Sequence, residues 1–210
     1  MKRLLPWAIL PVLCMGWMSC SHSGKEHSSL PDPRTLDKSV PEYKNPFHPS
    51  TYAHFVARKD YKKTYDIYKD DTLLKRTPKK SRKIFVCLNE QRGQYLVDGL
   101  VAMDFPLSSG VKAYPTKTGD YTVISKKEDH VSNLYGKMYD AEGKCINYNA
   151  ESTDPVPEGG RFDGSPMPYW QRLTNAGLGL HVGKVRRHPI SHGCVRLPRN
   201  VAEILYKQTS

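Results

Sequence analysis

From Lys83 onward the apolar positions come in short alternating runs broken by turn-forming residues, a pattern that predicts strands rather than helices. The run at 84–88 alternates, Asn89-Glu90-Gln91-Arg92-Gly93 reads as a turn, and a second strand runs from Gln94 to Val97. Asp98-Gly99 then predicts a two-residue hairpin, because both residues tolerate left-handed backbone, and residues 100–105 form its return strand. Residues 120–124 are strand-like, led in by the turn-rich Pro115-Thr116-Lys117-Thr118-Gly119. Residues 125–166 are polar, with Pro155, Pro157, Gly159, Gly160 and Gly164, and read as a long insertion with marginal structure. Apolar chain resumes at Met167-Pro168-Tyr169-Trp170, followed by strands at 177–182 and 194–197. Val201-Ala202-Glu203-Ile204-Leu205-Tyr206 predicts a short closing helix, apolar side inward. The expected fold is a mainly β domain over 83–210.

Upstream the pattern changes twice. Between 51 and 76, Tyr52, Phe55, Val56, Tyr61, Tyr65, Tyr68, Leu73 and Leu74 recur at roughly helical spacing, and Thr77-Pro78 ends the run. Residues 51–82 are therefore expected to be a helical or irregular lead-in. Across 21–50, Pro31, Pro33, Pro41, Pro46 and Pro49 leave no apolar periodicity, which predicts a Pro/Ser-rich tether. The first 20 residues have the three parts of a secretory signal: basic Lys2-Arg3, an apolar run over 4–18, then small Ser19 and Cys20. The run falls short of the ~20 residues that span a bilayer. A cysteine directly after it resembles a bacterial lipoprotein signal, although Trp17 stands where leucine is usual. Ordinary cleavage near this point is the alternative. Lipidation of Cys20 would make the mature chain an exported, membrane-anchored lipoprotein facing the periplasm or cell wall.

Composition removes some possibilities. Thirteen Tyr and 3 Trp argue against wholesale disorder, despite only 38% hydrophobic residues. A net charge of +11 suits an anionic partner, but the Lys and Arg residues are scattered and no nucleic-acid reading element accompanies them. Nucleic acid is not an expected partner. Of five cysteines, Cys14 lies in the signal and Cys20 at its end. Cys87, Cys145 and Cys194 remain, and three cannot all pair within one chain. Cys87 sits in an apolar run, where cysteine is usually a small core hydrophobe. Cys145 follows a turn and is open to either fate.

Cys194 has histidines around it. In Leu178-Gly179-Leu180-His181-Val182, alternation places His181 on one face with Gly179, and Leu180 and Val182 on the other. The Gly183–Ile190 connection would let the chain return as a hairpin and bring Cys194 within hydrogen-bond reach of His181. A thiol beside an imidazole is the arrangement that covalent catalysis by sulfur requires, and an imidazolium there would lower the thiol pKa. Backbone amides around Gly193 could meet a developing oxyanion. His181, His188, His192 and Cys194 could instead be weighed as zinc ligands, but their spacing fits no familiar zinc pattern. No metal or cofactor is expected.

These residues also carry a family resemblance. Ser191-His192-Gly193-Cys194-Val195-Arg196-Leu197, preceded by Leu180-His181, resembles the signature of the L,D-transpeptidase (YkuD-like) catalytic domain. Ser108-Ser109-Gly110, the segment Tyr114-Pro115-Thr116-Lys117-Thr118-Gly119, and Met167-Pro168-Tyr169-Trp170 resemble its upstream elements, with Lys117 in place of the usual proline. The resemblance implies a β-sandwich or barrel of short strands, with Cys194 as nucleophile and His181 as proton acceptor. Ser191, His192, Gly193 and Arg196 would form the oxyanion site and pocket, and Tyr169 and Trp170 would contact substrate. It implies peptidoglycan stem peptides as substrates. The bond before a terminal D-amino acid of a tetrapeptide would be cleaved and the acyl group passed to an amine. Water as acceptor would make an L,D-carboxypeptidase, and loss of chemistry would leave a cell-wall-binding lipoprotein. Tyr135, Tyr139 and Tyr148 would either line a stem-peptide groove or simply pack. The Gly183–Ile190 loop is shorter than is usual in the family, which puts acceptor-side contacts there in question.

Overall fold

The computed structural model describes residues 30–77 and 81–209. The signal over 1–20 and the lipidation site at Cys20 lie outside the described residues. In chain order the elements are α1 (Tyr52–Ala57), β1 (Tyr68–Lys69), α2 (Asp71–Lys75), β2 (Arg82–Cys87), β3 (Arg92–Val97), β4 (Leu100–Pro106), β5 (Ser125–Lys127), β6 (Val131–Tyr139), β7 (Cys145–Glu151), β8 (Arg161–Pro166), β9 (Trp170–Arg172), β10 (Gly179–Val182), β11 (Val195–Leu197) and α3 (Arg199–Gln208). They build three sheets, ordered β1-β4-β3-β2, β11-β10-β9-β5 and β7-β6-β8. The mainly β reading and the short C-terminal helix hold.

The first sheet follows from its alternation. β2, β3 and β4 form an antiparallel meander, and the turn between β3 and β4 has Asp98 at φ 52° and Gly99 at φ 87°, as a primed hairpin turn demands. Its inner face supplies Tyr95, Val97, Met103 and Phe105 to the main core, where they meet Leu180 and Val195 of the second sheet. Val201, Ala202 and Leu205 of α3 are fully buried in the same cluster. The β10–β11 edge of the second sheet is thereby packed from below, and its other face is left to carry chemistry.

Three expectations need correction. Residues 120–124 form no strand; the pairing begins at Ser125, where β5 joins β9. Residues 125–166 are not a marginal insertion, since they contain β5 and the whole β7-β6-β8 sheet. Glycines allow that sheet to close: a Cβ on Gly136 would sit 2.2 Å from the Asp163 carbonyl oxygen, and one on Gly164 would sit 2.0 Å from that of Ser132. Finally, Cys87 is disulfide-bonded rather than a free core thiol. The free cysteines among the described residues are Cys145 and Cys194.

The lead-in is two short helices and an added strand. Thr51 caps α1 by accepting from His54 N at 3.1 Å, and Asp70 caps α2 by accepting from Thr72 N and Leu73 N. β1 extends the first sheet by pairing with β4. A buried ion pair fixes this segment to the domain. Asp104 accepts from Arg92 Nε at 2.7 Å and from the hydroxyls of Tyr52 and Tyr61, each at 2.7 Å. The other guanidinium nitrogens of Arg92 donate to the Thr64 and Asp66 carbonyls. Residues 30–50 lack regular structure, yet they also dock: Lys38 Nζ, the Tyr43 hydroxyl and Asn45 Nδ2 donate to carbonyls of α1, and Phe47 is buried.

Candidate active site

His181 and Cys194 come together by a route other than a hairpin. β10 and β11 pair in parallel, with Leu180 opposite Val195 and His181 opposite Arg196. Partners in a parallel pair direct their side chains to the same face, so His181 and Arg196 share one face with Gly179 and Cys194, two residues back on each strand. His181 Nδ1 lies 2.8 Å from the Val182 carbonyl oxygen. A carbonyl can only accept, so Nδ1 carries the proton and Nε2 is left with its lone pair.

The resting pair is neutral. Burial pushes His181 down to about 4, and the positive charge of Arg196 acts in the same direction. Burial pushes the Cys194 thiol up, against the opposing pull of the Gly179 amide and the Arg196 charge. The expected imidazolium beside the sulfur is therefore absent at neutral pH. The thiol donates to the Gly177 carbonyl at 3.3 Å, and no hydrogen bond joins it to His181. The imidazole is walled in by Trp170, 6.0 Å away between ring centres, whose indole also fills the space that a side chain at Gly179 would take. Trp170 is 3% exposed and stacked on His130, so it has little surface for a ligand. Tyr169 packs on Tyr206 and beneath Arg199 of α3.

A second layer shapes the cysteine loop. Ser108 bridges to Arg196, with bonds in both directions between their backbones, and Ser109 O accepts from Ile190 N and Ser191 N. Ser109 is itself held by Gln91, which accepts from its amide at 2.9 Å and donates to its hydroxyl at 2.8 Å. A Cβ at Gly110 would collide with the Tyr114 carbonyl and the Gly193 backbone. Ser191 Oγ donates to the Cys194 carbonyl at 2.5 Å and accepts from Gly193 N at 3.2 Å. Ser191 thus clamps the loop, and the Gly193 amide is already engaged. Gly193 itself adopts φ 113°, a conformation that favours glycine.

Thr116 and Gln91 had no role in the sequence reading. Thr116 Oγ1 accepts from Gly110 N at 2.8 Å and donates to the Gly193 carbonyl at 2.6 Å, tying the turn-rich segment to the residue before the cysteine. The proline-threonine turn flanked by Ser-x-Gly was the available signal. Thr116→Val is expected to leave both backbone groups without their partner, at a cost of about 1–3 kcal/mol. Thermal unfolding should show the loss, together with reduced turnover.

The remaining expected residues separate clearly. His192 is exposed and stacks on Tyr135, with ring centres 4.3 Å apart and an interplanar angle of 14°, and Tyr114 tilts against it at 4.8 Å. Arg196 is half-buried over Gly183, and its guanidinium has no hydrogen-bond or carboxylate partner among the described residues. Tyr139 lies under Arg161, and Tyr148, 69% exposed, lies under Lys137. His188 is exposed, with its Nδ1 3.3 Å from the Pro189 carbonyl oxygen. Among the described residues no group of three or more His, Cys, Asp or Glu side chains is arranged to hold a metal ion.

The profile of the YkuD family, the L,D-transpeptidase catalytic domain, matches residues 81–210. The chain belongs to this family. The match covers β2 to β11 and α3 but leaves the lead-in, with its added strand β1, outside. Similar solved structures include an L,D-transpeptidase from Mycobacterium smegmatis, at 20% identity and TM-score 0.46, covering 62% of this chain and 56% of that one. Another is an L,D-transpeptidase from Stackebrandtia nassauensis, at 23% identity and TM-score 0.45, covering 75% and 62%. The catalytic domain of the E. faecium L,D-transpeptidase aligns at 26% identity and TM-score 0.44, covering 62% and 91%. The chain thus spans little more than half the length of the Mycobacterium smegmatis protein. No curated protein sequence matches it.

Proposed function

We propose that the protein is a peptidoglycan L,D-transpeptidase in which Cys194 is the nucleophile and His181 its general base. The observation that carries the reading is the shared face of β10 and β11, where Cys194 and Arg196 stand beside a His181 whose Nδ1 is pinned on Val182. In the first step the thiol turns from Gly177 and gives its proton to His181 Nε2. Sγ bonds to the carbonyl carbon of the third stem residue. The amide C–N bond breaks, and the proton on His181 passes to the departing amine of the terminal D-amino acid. In the second step an acceptor amine attacks the thioester carbon. The C–S bond breaks, and a proton from the amine returns through His181 to sulfur.

The backbone amide of Cys194 is the candidate oxyanion donor, since that of Gly193 is held by Ser191. Arg196, an unpaired cation next to the sulfur, favours negative charge as it develops there and suits the carboxylate that ends the donor stem. Export and anchoring through lipidated Cys20 complete the proposal, because the substrate lies outside the cytoplasmic membrane. No helix among the described residues is long and apolar enough to cross a membrane.

Intact-mass measurement tests the covalent step. After mixing with a disaccharide-tetrapeptide ending in D-alanine, the protein should gain the mass of the substrate less D-alanine. Peptide mapping should place the adduct on Cys194. Cys194→Ala should show no adduct and no product, and continued turnover by that variant would overturn the assignment.

A further inference from the structure

Near the sulfur lies a polar aromatic cluster with no part in the first step. Its rings are Tyr114, Tyr135 and His192, in mutual contact at 4.3–6.2 Å between centres. Glu151, the last residue of β7, pairs in register with Tyr135 of β6, and its carboxylate lies 3.5 Å from the Tyr114 hydroxyl. Glu151 is exposed and enters no salt bridge with a basic side chain among the described residues. Its charge is felt at Tyr135, which also senses Cys194, and at His192, where the nearby Arg196 charge opposes it more strongly. Aromatic rings beside a carboxylate that has no basic partner among the described residues are the parts of an ammonium site, because ring quadrupoles and a carboxylate both attract a cation.

We infer that Glu151, with the rings of Tyr114, Tyr135 and His192, receives the cationic amine of the acyl acceptor and selects it over water and neutral nucleophiles. The inference rests on the acyl-transfer reading of Cys194 and names the acceptor class for that same site: a primary amine that arrives as ammonium. The bound ammonium loses one proton to solvent before attack, and the neutral amine then resolves the thioester as described above. Glu151 is a specificity-determining residue here and takes no proton in the reaction.

The experiment measures partition of one thioester between two nucleophiles. The acyl enzyme is formed from the disaccharide-tetrapeptide and offered either Nα-acetyl-lysine amide, which is cationic, or methoxyamine, which is neutral at pH 7. For Glu151→Gln, the ratio of lysine-amide product to methoxyamine product should fall about fivefold relative to the parent, the size of a partly exposed ion and cation–π contact. Glu151→Lys should lower the ratio at least as far, and Glu151→Asp should restore most of it. Glu142→Gln, in the turn between β6 and β7, serves as the charge control and should leave the ratio unchanged. An unchanged ratio in Glu151→Gln, or an equal fall in Glu142→Gln, overturns the inference while leaving the cysteine mechanism standing. If no acyl enzyme forms on the parent protein, the cysteine mechanism fails first, and the inference falls with it.

Discussion

Replacing His181 with Gln is expected to lower kcat/KM by about 10²–10⁴-fold, the usual contribution of a positioned general base. His181→Asn, whose amide N–H takes the place of Nδ1–H toward the Val182 carbonyl, should lose as much, because the loss reports proton transfer more than packing. The pH profile discriminates further. Neutral imidazole is the working form, and burial holds His181 at about 4, below its ordinary value. The parent enzyme should therefore keep kcat/KM level down to roughly pH 5 and lose activity only as pH falls through about 4, as imidazole gains a proton and can no longer accept one. The thiol is shifted the other way, so alkylation by iodoacetamide should climb with pH and reach its midpoint above that of an ordinary cysteine. A resting thiolate–imidazolium pair would instead give rapid alkylation at neutral pH. Observing that would overturn the neutral-pair description.

The second large effect is on stability. Asp104→Ala should destabilise the protein by about 3–5 kcal/mol, because it strands a buried guanidinium. Arg92 is 2% exposed and Asp104 fully buried, and the same carboxylate also satisfies the hydroxyls of Tyr52 and Tyr61. Asp104→Asn keeps one acceptor oxygen and should lose less. Urea unfolding of both variants measures the difference. A change below 1 kcal/mol in Asp104→Ala would mean that water reaches Arg92 and that the lead-in is not stitched to the domain there.

Much of this architecture was legible where one face of an element is buried and the other wet. The β2–β4 meander alternates, its tip is Asp98-Gly99, and α3 hides Val201, Ala202 and Leu205 on one side. The β7-β6-β8 sheet was not legible, since it buries little beyond Met138 and Ala150 and leaves Leu134, Ile146 and Tyr148 exposed. A sheet wet on both faces writes no alternation into its sequence. Its glycines read as loop residues, although Gly136 and Gly164 are the positions where neighbouring backbones come too close for a side chain.

At the site, residue types and strand phase were enough to set Cys194 and His181 toward one face. The parallel register was not legible, because the connection between β10 and β11 carries no helix. It is held instead by Ser108 and Ser109, distant in sequence. The charge state was beyond reach for a related reason: it is set by burial beneath Trp170 and by Arg196, neither of which spacing reveals. Glu151, the acidic neighbour of Tyr114 and Tyr135, lies in the stretch that the sequence reads as a loop.

The docking of residues 30–50 along α1 has a consequence for geography. The bonds that pin this segment along α1 begin at Lys38. With the lipid on Cys20, the stretch from 20 to 38 would separate membrane from docked chain, at most about 60 Å when fully drawn out. An enzyme on that leash would patrol the layer of wall nearest its own membrane and leave the outer strands to others.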